Sequence, residues 1–302
     1  MKSTFFTHKA MLDKLETMRA HRPEIETLTY ILGRDRILEW AHSVGVATES
    51  QLRDLSPPVP PLELRSIVAA PSEAVFLWSG LKDGEMCASF AERHFQHKEQ
   101  EVIRMLDFGC GCGRTTRFLQ GVGRFLVHGT DVNGRLVEWC QHNLDRVTTT
   151  RNEPAPPLSA ATAQYDFVFS LSIFTHLPEK SMLAWLDELG RVTVDNGIVL
   201  LTTHGYPALD IICSSAQHQA MFQLTPSEAL EMRESFKEKR FQYRRYSSEV
   251  VKEADAGEDY GNSFTHEDYI RERWCKNFEI VEFIPGGLRG WQDVVVLRRR
   301  AR

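Results

Sequence analysis

The segment 102–114 combines a short apolar run, the acidic residue Asp107 and three glycines at alternate positions, Gly109, Gly111 and Gly113. A buried strand that runs into a glycine turn and then a helix lets a ligand approach the backbone, because glycine has no Cβ. The segment therefore predicts the ligand-binding turn of an α/β domain.

The spacing of these glycines excludes two common ligands. A dinucleotide turn follows the pattern G-x-G-x-x-G, and its third glycine would fall at Arg114. A Walker-type phosphate loop needs a lysine after its last glycine, and none follows here. The carboxylate of Asp107 would also repel a pyrophosphate and attract a cation. The turn therefore favours a cationic ligand, and the absence of a Tyr-x-x-x-Lys pair also argues against a nicotinamide oxidoreductase.

Strand-like and helix-like segments alternate after the glycine turn, which indicates βαβ units and a parallel sheet. Strand-like segments end at Asp131, Ser170 and Gly205, Asn152 lies in a loop between the first two of these, and two more strand-like segments span 278–284 and 292–297. The segment 183–191 is predicted to be a helix between the fourth and fifth strands.

This order of motifs, from about residue 74 to the C-terminus, resembles that of class I S-adenosylmethionine (SAM) methyltransferases. The resemblance implies an α/β, Rossmann-like fold with a mostly parallel seven-stranded sheet and an antiparallel last strand. It also implies SAM as the cofactor. SAM carries a sulfonium and an ammonium group and no phosphate, which suits a carboxylate at the strand end.

The resemblance assigns cofactor contacts to residues at the strand ends. The three glycines allow close backbone approach, and Asp107 orders the turn or reaches the amino-acid end of SAM. Asp131 is expected to accept hydrogen bonds from the two ribose hydroxyls. Asn152 is a candidate for the adenine edge, and Ser170 is expected to face the cofactor.

Two histidines are the best-placed bases for an acceptor that must lose a proton. His204 follows the fifth strand, and His176 lies in the Phe-Thr-His-Leu loop after the fourth. A base within hydrogen-bond reach of the acceptor would assist transfer to a hydroxyl. Packing or helix capping is an equally good interpretation of His176.

An amine or thioether acceptor needs no base but gains a positive charge, which aromatic faces stabilise. Tyr206, Tyr260 and Trp291 are candidates for such contacts, and Arg289 or Arg245 could bind the carboxylate of an amino acid.

The fourth-strand loop and the overall charge disfavour nucleic acid as the acceptor. Nucleobase amino-methylases carry Asn/Asp-Pro-Pro-aromatic in this loop and cytosine-C5 enzymes carry Pro-Cys, whereas this chain has the segment 170–174, Ser-Leu-Ser-Ile-Phe. A net charge of −5 gives little attraction to phosphates. The sequence therefore predicts methyl transfer to an O, N or S atom of a small or glycan-linked molecule. The alternatives are S-methylation of methionine, as on the way to S-methylmethionine or dimethylsulfoniopropionate, and a SAM-binding regulator without activity.

The chain is expected to form a helical cap with a Pro-rich linker, 1–70, and a SAM-binding core, 71–302, with a lid insertion, 205–264. The cap contains helical patterns at 8–20 and 24–42 that offer a surface for a homodimer. Further helices are predicted at 72–79, capped by Ser72, and at 85–95.

Capping motifs predict two more helices in the last third of the chain. Thr225 is expected to cap the helix that begins at Pro226, and Thr265 with Asp268 forms a weaker capping box for the helix 269–275. The segment 255–263 between them is predicted to be a loop.

Composition and cysteine spacing predict a cytoplasmic protein without a metal. The N-terminus lacks a signal-peptide core, and no stretch approaches the ~18 apolar residues of a membrane span. The six cysteines suggest no disulfide framework. Cys110 and Cys112 interleave the glycines but lack further ligands at zinc-site spacing, so they are expected to be small buried loop residues.

Overall fold

The computed structural model describes residues 58–96, 102–119, 124–144, 147–246 and 260–301. The predicted helices at 8–20 and 24–42 lie outside these ranges, so the cap and the homodimer remain predictions.

A seven-stranded sheet forms the centre of the fold, with the order β3-β2-β1-β4-β5-β9-β8. Strands β1, β4 and β5 pair in parallel, and β9 pairs antiparallel with both β5 and β8. The predicted α/β fold with its antiparallel last strand is therefore confirmed. The strands are β1 Ile103–Phe108, β2 Phe125–Asp131, β3 Thr148–Arg151, β4 Tyr165–Ser170, β5 Thr193–Thr203, β8 Phe278–Leu288 and β9 Gln292–Arg299.

The central strands are buried along almost their whole length. Every residue of β4 is buried, as are Gly197–Thr203 of β5. Strands covered on both faces read as continuous apolar runs rather than alternating ones, which is why these segments stand out in the sequence.

The described residues group into two compact units. The first comprises the described parts of Met1–Ile103 together with Cys110–Thr150, and the second comprises Arg104–Gly109 and Arg151–Arg302. The first unit contains four helices among its described residues: α1 Leu62–Ile67, α2 Glu73–His94, α3 Thr116–Leu119 and α4 Gly134–Asn143. Its core is built from apolar side chains of α1, α2, α4 and the glycine turn: Leu64, Ala70, Phe76, Cys112 and Leu136.

One helix, α2, replaces the two helices predicted at 72–79 and 85–95. Ser72 caps it as expected, with its hydroxyl oxygen accepting from Val75 N. The predicted break came from Gly80 and Gly84, since glycine weakens a helix interior. A Cβ at Gly80 would lie 2.1 Å from the backbone oxygen of Arg114. The helix therefore carries glycine here because another backbone passes close to it.

The second unit contains the largest hydrophobic core, in which the helix α5 Glu179–Val192 packs against β4, β5, β8 and β9. The predicted helix 183–191 is confirmed and is longer by four residues at its start. Trp185, Leu189 and Phe278 are among its buried side chains.

The described residues of the predicted lid segment 205–264 fold into three helices and a pair of antiparallel strands. These elements are α6 Tyr206–Ser214, α7 Ala216–Met221, α8 Pro226–Lys239, β6 Phe241–Arg245 and β7 Gly261–Thr265. Thr225 caps α8 in a complete capping box with Glu228, as predicted. The predicted loop 255–263 is wrong at its end, because residues 261–263 pair with β6. The part 255–259 lies outside the described residues.

The predicted cap at Thr265 is also wrong. Thr265 is the last residue of β7, and His266 caps the helix α9 Glu267–Arg273 by accepting from Asp268 N at 3.0 Å. Thr265 N instead donates to the backbone oxygen of His204. A 3₁₀ turn, Trp274–Lys276, follows α9 and leads into β8.

None of the helices in the described ranges is long and apolar enough to cross a membrane. All six cysteines carry free thiols.

Candidate active site

The three glycines of the first motif all adopt left-handed backbone conformations. Their φ angles are +85° at Gly109, +55° at Gly111 and +72° at Gly113, a region that other residues enter at a cost of about 1–2 kcal/mol. A Cβ at each position would also meet a side chain of the same unit: Ile173 at 2.3 Å for Gly109, Val68 at 2.6 Å for Gly111 and Leu144 at 2.4 Å for Gly113. The turn itself therefore requires glycine.

The carboxylate of Asp131 links the glycine turn to the next helix within the first unit. Its two oxygens accept from Gly111 N and Asn133 N, both at 2.8 Å. Asn133 in turn caps α4 by accepting from Arg135 N and Leu136 N. Burial raises the pKa of Asp131, and the backbone N–H donors oppose that shift. Val132 N is a third backbone donor to this carboxylate. An ionised carboxylate has about four acceptor positions, so about one remains for a ligand hydroxyl.

Asp107 and Ser170 lie near the carboxyl ends of β1 and β4 in the second unit. Asp107 is only 3% exposed. The Ser170 hydroxyl donates to the backbone oxygen of Phe108 at 2.8 Å, so its proton is used inside the protein and its oxygen can accept. Asn152 follows β3, is partly buried and donates to the backbone oxygen of Glu153 at 2.8 Å.

His176 is held by two hydrogen bonds to one residue of β7. Gly261 N donates to the backbone oxygen of His176 at 3.1 Å, and the backbone oxygen of Gly261 lies 2.8 Å from ring atom Nδ1. A carbonyl only accepts, so Nδ1 carries the proton and the lone pair is on Nε2. That atom makes no hydrogen bond to any described residue. The partly buried ring thus presents a free acceptor.

His204 lies immediately after β5, and its Nε2, unlike that of His176, already accepts a hydrogen bond. The indole Nε1–H of Trp291 donates to Nε2 of His204 at 3.2 Å, so Nε2 is the acceptor and Nδ1 carries the proton. The ring is 3% exposed. The basic nitrogen of His204 is therefore occupied, whereas that of His176 is not.

Both histidines belong to a group of rings that we call the aromatic cluster. Its members are His176, His204, Phe222, Tyr246, Tyr260, Phe264 and Trp291. The rings of His176 and Tyr260 are 4.8 Å apart and tilted by 35°, and those of His176 and His204 are 6.4 Å apart and nearly perpendicular. The cluster joins the loop after β4, the end of β5, the β6–β7 hairpin and the β8–β9 turn.

The aromatic cluster is uncharged at neutral pH. Burial lowers the pKa of His176 to about 4, partly opposed by its bond to Gly261. Burial, with a smaller contribution from His176, lowers the pKa of His204 to about 3. Burial also raises the pKa of Tyr246 to about 12. The imidazoles and this phenol are therefore all neutral, and the cluster suits an uncharged ligand.

The four predicted substrate residues have different surroundings. Trp291 and Tyr260 belong to the aromatic cluster. Tyr206 instead packs against Phe236 and His266, with ring centroids 5.0 and 5.5 Å away. Arg289 is exposed in the β8–β9 turn.

Two polar contacts near the cluster were missed by the sequence reasoning. Ser172 has a φ of +62°, unusual for serine, and its hydroxyl and the Gln292 amide are within hydrogen-bond distance, with Nε2 of Gln292 2.9 Å from Oγ. Tyr246 and Asn262 form the other contact, at 2.7 Å. Neither pair leaves a signal in the sequence, because the partners are 120 and 16 residues apart and share no motif.

The strand order, the glycine turn and the acid that ends β2 together define a class I methyltransferase fold. Residues 105–197 match the model of a family described as a methyltransferase domain. Residues 105–197 are thus similar to a methyltransferase domain, and the sheet that contains them has the strand order of the class I fold.

Solved structures similar to this chain include three such enzymes. A SAM-dependent methyltransferase from Methanosarcina mazei is 18% identical, with a TM-score of 0.47, and the match covers 67% of this chain and 95% of that one. One from Mesorhizobium loti is 12% identical, with a TM-score of 0.44, and covers 66% and 92%. The 1,6-didemethyltoxoflavin-N1-methyltransferase of Burkholderia thailandensis, bound to 1,6-didemethyltoxoflavin and S-adenosylhomocysteine, is 13% identical, with a TM-score of 0.45, and covers 82% and 93%.

The residues at the strand ends fit SAM. The buried carboxylate of Asp131 offers an acceptor for a ribose hydroxyl, and that of Asp107 suits an ammonium group. Within the described ranges, no three His, Cys, Asp or Glu side chains are grouped so as to hold a metal ion.

Proposed function

We propose that the chain transfers the methyl group of SAM to an O–H or N–H group of a small, uncharged molecule that docks at the aromatic cluster. The observation that carries this proposal is the free Nε2 of His176, presented by a ring whose Nδ1–H is donated to Gly261. His176, rather than His204, is then the proton acceptor, because Nε2 of His204 already accepts from Trp291.

The cofactor contacts in this proposal follow the strand ends. Asp131 holds a ribose hydroxyl, Asp107 the ammonium group and Asn152 the adenine edge. Gly111 and Gly113 shape the turn, and the Ser170 oxygen is an acceptor at the end of β4. SAM, when bound, supplies a methyl group on a sulfonium, which is a good leaving group.

The reaction does not require a strong base. The acceptor lone pair forms a bond to the methyl carbon, the carbon–sulfur electron pair stays on sulfur, and the acceptor proton moves to Nε2 of His176. A pKa of about 4 makes His176 a weak base. A weak base is sufficient, because the acceptor becomes strongly acidic as it gains the methyl group and positive charge. The protein otherwise aligns the acceptor and excludes water.

The neutrality of the cluster argues against methionine as the acceptor. An amino acid would place a carboxylate and an ammonium group at the site, and burying either without a charged partner is costly. Burial keeps His176, His204 and Tyr246 neutral at pH 7, so none of them supplies such a partner. A thioether would also leave the free Nε2 of His176 without a role.

A panel of acceptors tests the proposal. The protein is incubated with methyl-labelled SAM and phenols, hydroxylated heterocycles, sugars, amines and thioethers, and products are detected by mass. We expect an O- or N-methylated product. His176→Gln should lower kcat about 10²- to 10⁴-fold, the usual contribution of a general base, with unchanged SAM affinity by calorimetry.

His142→Gln is the matched control, because His142 is exposed on α4 and contacts only the backbone oxygen of Glu138 in its own helix. It should leave kcat unchanged. A thioether as the preferred acceptor, or full turnover by His176→Gln, would show that the proposal is wrong.

A further inference from the structure

The side chain of Asn262 is connected to that of His176 through Tyr246, and Asn262 is almost completely buried, with 4% of its surface exposed. Asn262 follows Gly261 on β7. It is therefore the chain neighbour of the residue whose backbone oxygen binds the His176 ring. Tyr246, which follows β6, connects the two side chains. Its hydroxyl oxygen lies 2.7 Å from Asn262 Oδ1 and 3.4 Å from Nδ1 of His176.

This network determines which way the amide points. Nδ1 of His176 carries a proton, which is donated to Gly261, so it cannot accept one from Tyr246. The Tyr246 hydroxyl therefore gives its proton to Oδ1 of Asn262. That bond fixes the oxygen of the amide and leaves the Nδ2 hydrogens as donors on the other side.

These donors have no partner in the protein as described. Nδ2 of Asn262 makes no hydrogen bond to any described residue, and it is not among the fully enclosed polar atoms that lack a partner. It therefore keeps some accessible surface. An unpaired buried amide costs about as much as a lost hydrogen bond, so a donor held in this way is suited to a ligand oxygen.

We infer that Asn262 determines specificity in the acceptor site by donating from Nδ2 to an oxygen next to the methylated group. The inference rests on the proposed function, in which Nε2 of His176 takes the acceptor proton. An acceptor that satisfies both residues carries an O–H or N–H group and a neighbouring oxygen. The preferred substrates are then small, uncharged molecules with two adjacent polar groups, such as vicinal hydroxyls on a ring.

Two isomers provide a sharp test. 1,2-Dihydroxybenzene and 1,4-dihydroxybenzene have the same ring and the same hydroxyl groups, and only the first has an oxygen beside the nucleophile. In the complex with the 1,4 isomer, Nδ2 of Asn262 would have no oxygen to donate to. We therefore expect the kcat/KM of the wild type to be about 10- to 100-fold higher for the 1,2 isomer.

Variants of Asn262 test whether its side-chain amide causes this preference for the 1,2 isomer. Asn262→Ala should reduce the preference to about twofold, chiefly by slowing reaction of the 1,2 isomer. Asn262→Asp keeps an oxygen for Tyr246 but removes both donors, and it should lose the preference too. The unfolding midpoint and the SAM affinity of each variant are measured alongside.

Asn277→Ala is the matched control, since that amide donates to Asp187 on the exposed surface. It should keep the wild-type preference. Tyr246→Phe releases the amide without removing it and should give an intermediate preference.

The outcomes separate this inference from the proposed function. A wild type that does not favour the 1,2 isomer, or Asn262 variants that keep the full preference, overturns the role of Asn262, even where other panel members are methylated through His176. A wild type that methylates no O–H or N–H acceptor overturns the proposed function and this inference with it.

Discussion

The ring of His176 and the backbone of Gly261 are joined by two hydrogen bonds, one from Gly261 N to the His176 backbone oxygen at 3.1 Å and one from Nδ1 to the Gly261 oxygen at 2.8 Å. This pairing ties the loop after β4 to the β6–β7 hairpin. It also selects the tautomer that leaves Nε2 free. The position of His176 thus depends on the place of Gly261 in the hairpin.

Gly261→Ala should disturb this pairing. A Cβ at Gly261 would lie 2.3 Å from the backbone oxygen of Arg244 and 2.7 Å from the hydroxyl of Tyr243, so the hairpin must shift. We expect kcat to fall at least tenfold while SAM affinity, measured by calorimetry, stays unchanged. Gly190→Ala is the control, because its Cβ would only approach the ring of Phe278 at 3.2 Å, and it should retain activity. Wild-type kcat in Gly261→Ala would contradict the positional role.

The pH dependence of the reaction follows from the tautomer and the low pKa of His176. Nε2 must be unprotonated to accept, and the pKa of about 4 keeps it so throughout the neutral range. The kcat/KM for an acceptor whose own pKa lies above 9 should therefore be flat from about pH 5.5 to 8. An unperturbed histidine would instead give a decline below about pH 6.5. Such a decline, in protein that remains folded, would show that the base is a different group.

Stability should depend on pH in the acidic range. The pKa values of His176 and His204 are lowered from 6.5 to about 4 and about 3 by burial. Between pH 6.5 and 4 the unfolded chain therefore binds more protons, and the free energy of unfolding falls as pH falls, by up to about 1.4 kcal/mol per pH unit for each histidine.

Asp293 opposes this trend. Burial raises its pKa from 3.8 to about 6, so between these values the folded protein binds more protons and stability rises as pH falls. Burial also raises the pKa of Asp131 and lowers that of His128, so three histidines oppose two carboxyls and a net loss on acidification remains. Urea unfolding at pH 7 and pH 5 measures it, and His204→Gln should reduce the difference. Equal stability at both pH values would contradict burial of the two neutral rings.

The sequence predicts the sheet well and the acceptor site poorly, for physical reasons. Strands β2 and β4 have their predicted bounds, because a buried strand needs a short apolar run between polar turns. Gly80 appeared to end a helix, yet it lies inside α2 where the Arg114 backbone passes. Tyr246 and Asn262 were missed because hairpin pairing brings them to His176 from 70 and 86 positions away, and no local pattern encodes that contact.

Asp131→Asn should weaken SAM binding. The carboxylate accepts from Gly111 N and Asn133 N, and an amide would present an N–H₂ group to one of these donors. We expect a loss of about 1–3 kcal/mol in SAM affinity by calorimetry, because hydrogen-bonded groups lose their partners. Asp210→Asn, which alters an exposed carboxylate paired with Arg233, is the control and should bind SAM normally. Wild-type affinity in Asp131→Asn would contradict the assignment of the ribose contact.

Arg114, the residue that excludes a dinucleotide turn, forms a buried ion pair in the first unit. Its Nη1 lies 2.7 Å from Asp83 and 3.0 Å from the Ser79 hydroxyl, and the Asp83 side chain is 1% exposed. Removing one partner leaves the other charge buried, so Arg114→Met and Asp83→Asn should each lower the free energy of unfolding by about 3–5 kcal/mol. The double variant should lose less than the sum of the two, since neither charge is then left without its partner.

The exposed ion pair Lys276–Asp187 provides the comparison for this set of single and double variants. Its side chains are 71% and 50% exposed. Lys276→Met should cost at most about 1 kcal/mol, because water already screens both charges. Urea unfolding of the three variants at the first pair, measured beside Lys276→Met, gives the coupling energy. Additive losses at Arg114 and Asp83 would mean that the two side chains do not interact in solution.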